Sequence, residues 1–331
     1  MRYIGYVLLV LFALVGCRDR SAKNRSNNPM DEPHQILIVI NDRLWYGSVG
    51  DSIREHLAVP IEGITPPEST FSLEQISPNL FSSRTKNRRN IIVFSDNYSN
   101  NSFLFEKDKY TAGQMYFTVS GDSRKGLISE FKKNSDSIVS SILRSEFDVV
   151  AKRILEGKIV DIDYFQDKFQ VSLNLPTTYK LVGSNYHFVW FKKNIASGNS
   201  NILIYDVPME RIENTDDTIL NNLLAVKDSV NGKYIHSIED NSYLRLNEGF
   251  IPNNKEFVRQ GRKVYEFTGD WDMHNSFMSG PYMSYVFRDE SASRYLFIEG
   301  LVYNPAMGKR GILMEVESIV NSLKFNESET N

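Results

Sequence analysis

The chain contains a single cysteine, Cys17, which directly follows an apolar stretch from Tyr3 to Val15. A basic start at Arg2, an apolar segment of this length and a small residue at Gly16 are typical of a secretory signal peptide. A membrane-spanning helix needs about 20 apolar residues, so this stretch is too short to be a stable anchor by itself. Because the exported remainder has no further cysteine, we expect it to fold without disulfides and to rely on its hydrophobic cores.

The residues Leu14-Val15-Gly16-Cys17 resemble the lipobox of bacterial lipoproteins. The resemblance implies that residues 1–16 are removed and that Cys17 carries a diacylglyceryl group and an amino-terminal acyl chain such as palmitate. Each buried methylene group contributes about 0.8 kcal/mol, so several chains anchor firmly where one holds only marginally. The alternative is an ordinary signal peptide with a chance cysteine. Arg18, in place of Asp, implies sorting to the outer membrane, and the missing acidic run favours its periplasmic face over the cell surface.

The segment after the cysteine is polar and has no aromatic residue. Arg18 to Pro33 includes Met30 as its one large apolar side chain. Such a segment cannot bury enough apolar surface to offset the entropy lost on ordering. We therefore expect residues 17–33 to form a lipidated cysteine and a flexible tether, which as a coil would average ~20–25 Å from end to end.

Composition excludes some function classes for the 331-residue chain. Removal of residues 1–16 takes away one basic residue, leaving 37 basic and 41 acidic residues and a formal net charge of −4. This balance lacks the basic footprint of a nucleic-acid-binding protein, and we expect no nucleic-acid partner. Thiol chemistry is excluded because the only cysteine is the lipidated one. We predict no metal site and no cofactor.

Short apolar runs rich in β-branched and aromatic residues recur along the chain and predict strands covered on both faces. They are residues 36–40, 91–94, 115–119, 188–191, 202–205 and 295–303. Amphipathic helices are predicted after a capping box at Ser48–Asp51, between residues 123 and 156 with a break near Asn134, after a cap at residues 215–217, and over residues 312–323.

This pattern predicts an α+β fold, or an α/β sandwich, with two lobes of mixed sheet that each end in a closing helix. The boundaries expected are 1–16 for the signal peptide, 17–33 for the tether, 34–158 and 159–325 for the two lobes, and 326–331 for a disordered tail. The order of elements in the second lobe is similar to that of the Mog1/PsbP-type sandwich, which by itself implies no function.

Four stretches together resemble one family of Gram-negative envelope lipoproteins, the domain-of-unknown-function 4837 family. They are residues 45–57, 89–94, 280–289 and 297–319, and the steps Gly280-Pro281 and Glu299-Gly300 are the most specific. The resemblance covers nearly the whole mature chain and implies no known activity. The family pattern has an Xaa-Glu-Pro step after the first helix, where this chain has Pro66-Pro67-Glu68.

The candidate for catalytic chemistry is the segment YEFTGDWDMH, residues 265–274. In a strand, alternate side chains share a face. Glu266, Asp270, Asp272 and His274 would therefore lie together as an acid/base set, opposite Tyr265, Phe267, Trp271 and Met273. The same alternation is typical of an ordinary half-buried strand whose polar face meets water. The chain has five scattered histidines and none of the common nucleophile, zinc-protease or phosphate-loop motifs.

The candidate binding surface is formed by Trp271, Gly280, Pro281 and Tyr282. A Gly-Pro step between aromatic residues would bend the backbone and leave aromatic faces free for a partner, or would be a plain loop between strands. A basic cluster at residues 84–89 is either a phosphate contact or a solvated loop.

The function predicted is an outer-membrane-anchored lipoprotein that is non-enzymatic and binds membrane lipid through Cys17 and a glycan or envelope protein through its body. The alternative is a periplasmic hydrolase using the acidic and histidine face at 266–274.

Overall fold

A computed structural model describes residues 33–96 and 99–326 of the chain. The elements of the first part are β1 Gln35–Val39, α1 Asp42–Trp45, α2 Ser48–Leu57, β2 Ser72–Ile76, β3 Asn90–Ser95, β4 Ser102–Lys107, β5 Met115–Ser120 and α3 Arg124–Glu156. Short 3-10 turns lie at Pro78–Leu80 and Thr85–Asn87. Cys17 and the predicted signal peptide and tether residues 1–32 lie outside the described residues, as does the tail beyond residue 326.

The elements that follow alternate short helices with longer strands. They are α4 Ile162–Phe169, β6 Val171–Ser172, β7 Lys180–Asn185, β8 Phe188–Ile195, β9 Gly198–Pro208, α5 Glu210–Glu213, α6 Ile219–Tyr234, β10 Tyr243–Leu246, β11 Asn253–Arg259, β12 Arg262–His274, β13 Ser279–Asp289, β14 Arg294–Tyr303, α7 Arg310–Asn321 and β15 Lys324–Phe325. A 3-10 turn at Glu290–Ala292 joins β13 to β14. No helix among these described residues is long and apolar enough to span a membrane.

The first sheet has five strands in the order β2-β1-β3-β5-β4. All neighbours are parallel except β4, which pairs antiparallel with β5 at one edge. Its central strands carry continuous apolar runs, such as residues 36–39 and 91–94, because both faces are covered. Helices α2 and α3 pack on one face through Ile53 and Phe131, while Phe81 and Tyr110 cover the other.

The second sheet is antiparallel and curled, with eight strands in the order β10-β12-β13-β14-β9-β8-β7 and β11 paired to β12. Helices α4 and α7 cover one face, and α5 and α6 cover the other. The segment YLFIEGLVY, now β14, is buried along almost its whole length for that reason. The predicted α+β class is confirmed. The lobe boundary at 158/159 and the Mog1/PsbP analogy stay predictions.

Helix α3 joins the two cores. Leu127, Phe131 and Ile142 are buried in the core of the first sheet, whereas Val150 and Ile154 are buried in the core of the second. At 33 residues the helix is about 50 Å long, enough to reach both. It runs through Asn134 without the predicted break, because the Asn134 amide donates back to the Glu130 carbonyl at 2.8 Å and leaves the backbone helical.

Two predicted helix starts are corrected. Helix α2 begins at Ser48 itself after Gly47, with no side-chain cap, so residues 48–51 are its first turn and not a capping box. Helix α6 is capped by Thr218, whose hydroxyl accepts from the Asn221 N–H at 3.2 Å. Thr215 and Asp217 support that cap from the preceding loop by hydrogen-bonding the Asn222 and Asn221 side chains.

The Gly280-Pro281 step lies inside β13, which corrects its prediction as a loop or bend. A Cβ atom on Gly280 would lie 1.9 Å from the Val302 carbonyl oxygen, so only glycine fits there. Pro281 pairs with Asp270 of β12, and the β13–β14 ladder begins one residue later at Tyr282. Proline has no backbone N–H to donate. Pro281 lies just outside the β13–β14 ladder, so no bond to β14 is lost there.

Candidate functional site

A cavity of about 390 Å³ lies between the two sheets, at the point where α3, α7 and the loop after α2 meet. We call it the junction cavity. Its apolar wall comes from both parts of the chain and includes Ile64, Leu143, Phe147, Met283, Leu313 and Met314. Its ionisable groups are His34, Glu62, Lys255, Glu266, Tyr282, Arg310 and Glu317.

Helix α7 supplies the floor of the junction cavity. Arg310, Leu313, Met314 and Glu317 recur at intervals of three and four residues, so they share one face of the helix. The helix can approach the sheet closely because Gly300 of β14 has no side chain. A Cβ atom there would lie 2.2 Å from Cγ1 of Val316.

Two carboxylates face the junction cavity from opposite layers, Glu317 on α7 and Glu266 on β12. Burial, and then the negative charge of Glu266, raise the pKa of Glu317 to about 7. Among the described residues Glu317 has no hydrogen bond and no ion pair. Glu266 lies 4.0 Å from the ammonium of Lys255, whose side chain is 70% exposed. The carboxylate of Glu317 is therefore held in the cavity wall without a partner.

His34 closes the cavity from the start of the first sheet. The residue is 3% exposed, and its ring nitrogens make no hydrogen bond within the described part of the chain, although the Thr70 backbone is near. Burial and then the charge of Arg310 lower the pKa of His34 to about 4. The ring is neutral at pH 7, so it presents one donor and one acceptor nitrogen.

Arg310 and Glu68 fasten α7 to the loop that precedes β2. The two carboxylate oxygens of Glu68 accept from the backbone N–H groups of Lys309 and Arg310, at 2.6 and 3.0 Å. The Arg310 guanidinium donates in return to the Ser69 and Thr70 carbonyls and, at 3.1 Å, to the Ser72 hydroxyl. A carboxylate at a helix N-terminus is favourable. Glu68 thus holds one wall of the junction cavity in place.

The four acidic and histidine residues predicted to act together are distributed over different surroundings. Glu266 lines the junction cavity. Asp270 is 6% exposed; it accepts a 2.5 Å hydrogen bond from the Thr65 hydroxyl, and burial raises its pKa. Asp272 pairs with Arg245 at 2.7 Å, and the His274 ring stacks on Tyr243 at 4.6 Å. The structure does not bring all four into one cavity.

Asp272 and His274 do share a second, shallower depression at the β12–β13 hairpin, with Arg245, Asn247 and Phe277. Its volume of about 620 Å³ is larger than that of the junction cavity, but much of it is open surface around an exposed hairpin tip. In this depression Asp272 is paired with Arg245, and the His274 ring stacks on Tyr243. Within the described residues no group of three or more His, Cys, Asp or Glu side chains is placed to hold a metal ion.

The predicted aromatic binding surface is not on the outside of the molecule. Trp271 and Tyr282 are 2% and 1% exposed, because both side chains pack in the core beneath α6, and Tyr282 also lines the junction cavity. Gly280 and Pro281 are buried within β13. The alternation that placed Tyr265, Phe267, Trp271 and Met273 on one face is correct, and the face is a hydrophobic core.

Glu299, one of the most specific residues of the family resemblance, lies at the centre of a buried polar network. Its carboxylate accepts from Lys227 at 2.8 Å, from Tyr205 at 2.5 Å and from Asn231 at 3.1 Å. Lys227 and Glu299 are 1% and 0% exposed, and the Lys227 ammonium lies 4.2 Å from the Tyr282 ring centre. With the Glu299 carboxylate accepting from Lys227 and Asn231 of α6, the network holds α6 on the sheet.

The basic side chains of residues 84–89 do not form one surface, because Arg88 and Arg89 pair with different carboxylates. Arg88 pairs with Glu74, and Arg89 is buried against Glu146 at 2.7 Å. Arg89 is only 4% exposed, so it is not available to a phosphate surface.

Sequence reasoning missed His34, Arg310 and Glu317. His34 stands alone before a strand, which indicates nothing by itself. Arg310 and Glu317 could have been noticed as charges at the helical spacing of Leu313 and Met314 on a face that ought to be apolar. Charged residues on an apolar helix face indicate a polar site only when the residues packed opposite that face are known.

Two family models match the chain. Residues 158–322 match domain of unknown function 4837, and residues 30–155 match domain of unknown function 8532. The family resemblance drawn from the sequence is confirmed for the second part. Its extent is corrected, because the stretches at 45–57 and 89–94 fall within the other domain. No protein among the curated sequences matches the chain significantly.

Among solved structures, human StAR-related lipid transfer protein 5 is similar over 55% of this chain and 98% of its own. The sequence identity is 9% and the TM-score is 0.20. A similarity this low supports no inference about fold or ligand.

Proposed function

We propose that this chain, a member of the domain-of-unknown-function 4837 family through residues 158–322, is an outer-membrane-anchored lipoprotein that binds an amphiphilic small molecule in its junction cavity. The observation that carries the proposal is the cavity itself. A space of about 390 Å³ with a mainly apolar wall and a few convergent polar groups has the size and lining of a small-molecule site.

Binding is favoured over catalysis by the state of the candidate catalytic residues. Thr65 engages Asp270, Arg245 engages Asp272, and Tyr243 covers His274. A hydrolase would need such groups to converge on one reacting atom within hydrogen-bond reach. The predicted hydrolase retains only Glu266 in the junction cavity, so we propose a non-enzymatic role.

The anchor is proposed from the sequence around Cys17, because that residue lies outside the described part of the chain. The lipobox-like Leu14–Cys17 and the preceding apolar segment support acylation, and Arg18 supports sorting to the outer membrane. His34, second of the described residues, lines the junction cavity. If residues 18–33 form a coil, their average end-to-end distance is ~20–25 Å, so the tether would keep the cavity close to the membrane. The protein could then take up an amphiphile from the membrane surface.

Occupancy of the cavity is tested with N-phenyl-1-naphthylamine, a neutral amphiphile whose fluorescence rises in apolar surroundings. Leu143→Trp fills the cavity from α3 and should weaken probe binding at least ten-fold. Leu155→Trp, at a position 61% exposed on the same helix, is the matched control and should leave binding unchanged. Equal probe binding by the two variants would show that the cavity is not the site.

Anchoring is tested separately in cells. Cys17→Ser should move the protein from the membrane fraction to the soluble fraction, and globomycin should cause the precursor to accumulate. A Cys17→Ser protein that stays in the membrane fraction would contradict the lipid anchor and leave the cavity proposal to be judged by probe binding.

A further inference from the structure

The junction cavity has an excess of acceptors among its polar groups. Glu317 has no ion pair among the described residues, and Glu266 has only a 4.0 Å contact with a lysine that is mostly in water. An exposed pair at that distance contributes little. Glu62, at the exposed rim, adds a third carboxylate. The cavity therefore has negative charge that the chain itself does not compensate.

Two of the basic side chains of the cavity, Arg310 and His34, offer no charge to a ligand. Arg310 directs both terminal nitrogens to the loop before β2, donating to the Ser69 and Thr70 carbonyls and the Ser72 hydroxyl. His34 is neutral at pH 7, since burial lowers its pKa to about 4. The third cation, Lys255, is 70% exposed and lies 4.0 Å from Glu266, so an anionic ligand inside the cavity would lie against two carboxylates.

We infer that the junction cavity binds an amphiphile whose polar end is a protonated amine, held by the carboxylates of Glu266 and Glu317, with its apolar body against Leu143, Phe147 and Met314. An ammonium has three donors and no acceptor, which matches a pair of carboxylates. Buried His34 is the second, independent observation that the cavity is short of a polar ligand, because the Thr70 backbone can engage only one of its ring nitrogens and the other has no partner among the described residues. The inference rests on the proposed binding function and specifies its ligand class.

The groups that face Glu317 give the binding a defined pH dependence. They are Glu266 on β12, Lys255 and Arg259 on β11 and Tyr285 on β13, while Arg310, His34, Glu62 and Tyr282 line other parts of the same cavity. With its pKa raised to about 7, Glu317 must release a proton when an ammonium binds at lower pH. An alkylamine stays protonated between pH 6 and 8, as lysine does. Its affinity should thus fall about ten-fold from pH 8 to pH 6.

The test uses three ligands of one chain length, octylamine, octanol and octanoate, which compete with the fluorescent probe for the full mature protein. We expect octylamine to bind at least ten-fold more tightly than octanol at pH 8, and octanoate more weakly than octanol. Glu317→Gln and Glu266→Gln should each lower the ratio of octylamine affinity to octanol affinity. Glu248→Gln, a carboxylate 87% exposed outside the cavity, is the control.

The outcomes separate the two proposals. Equal binding of all three ligands, or an octylamine preference that survives both glutamine variants, overturns the amine inference while the cavity stays a ligand site. Binding of none of them, together with probe binding that Leu143→Trp does not change, overturns the proposed function itself.

Discussion

At Glu317 the protonation equilibrium is linked to folding. Burial raises the pKa of this carboxyl from its ordinary value of about 4.5 to about 7. Between these two pH values the folded protein holds a proton that the unfolded chain has released. Stability from this group is therefore present in full below about pH 4.5 and is lost as the pH rises through 7, by about 3 kcal/mol in total. We predict that Glu317→Gln raises the free energy of unfolding at pH 8, measured by urea denaturation, and changes it little at pH 4.5.

The control for that prediction is again Glu248→Gln, which removes an exposed carboxylate and should shift stability by less than about 0.5 kcal/mol at either pH. A Glu317→Gln protein that is no more stable than the wild type at pH 8 would contradict the buried-carboxylate interpretation.

The Lys227–Glu299 pair also acts at the scale of single residues. Lys227→Met removes the cation and leaves the carboxylate of Glu299 buried with two neutral donors, Tyr205 and Asn231. Breaking a buried pair from one side costs about 3–5 kcal/mol. We predict a loss of that size in urea denaturation and partial recovery in the double variant Lys227→Met with Glu299→Gln. No recovery would mean that the charge of Glu299 is not the cause.

At the scale of elements, the contact between α7 and β14 depends on Gly300. Gly300→Ala would place a Cβ atom 2.2 Å from Val316, and overpacking of this kind costs about 1–3 kcal/mol. We predict a lower melting temperature for Gly300→Ala, with part of the loss restored by Val316→Ala in the same chain.

Gly311 is the matched control on the same helix. Nothing lies within 4 Å of a Cβ atom at that position, and alanine favours a helix over glycine by about 1 kcal/mol. Gly311→Ala should therefore stabilise the protein slightly. Equal melting temperatures for the two alanine variants would argue against close packing at Gly300.

At the scale of the whole molecule, α3 makes the second core dependent on residues that precede residue 158. Val150 and Ile154 are buried in that core, and Phe147 packs against it. We predict that a fragment of residues 159–326 melts at a lower temperature than one of residues 145–326, because it exposes the surface that α3 covers. Equal melting by circular dichroism would show that α3 contributes nothing to the second core.

Local patterns were enough for most of the fold. The apolar runs at 91–94 and 295–303 are strands covered on both faces, and the apolar stripe over 312–323 lies on α7. These predictions are correct because the spacing of apolar residues within one segment indicates both its secondary structure and which of its faces are buried. Local patterns failed at Gly280-Pro281. At that step the backbone carbonyl of Val302 on the neighbouring strand leaves room only for glycine at position 280. The residues around Gly280 do not indicate which strand lies beside them.

The sequence by itself determined the α+β class, the family of the second part and the expectation of a lipid anchor at Cys17, since each depends on residues close together in the chain. Only the tertiary structure decided the site. Glu266, Asp270, Asp272 and His274 share a strand face but no single cavity, while His34, Glu266 and Glu317 are far apart in sequence and line one. The physical reason is that the two-residue period of a strand determines the face from which a side chain projects, whereas the helices and strands packed on that face determine which groups it contacts.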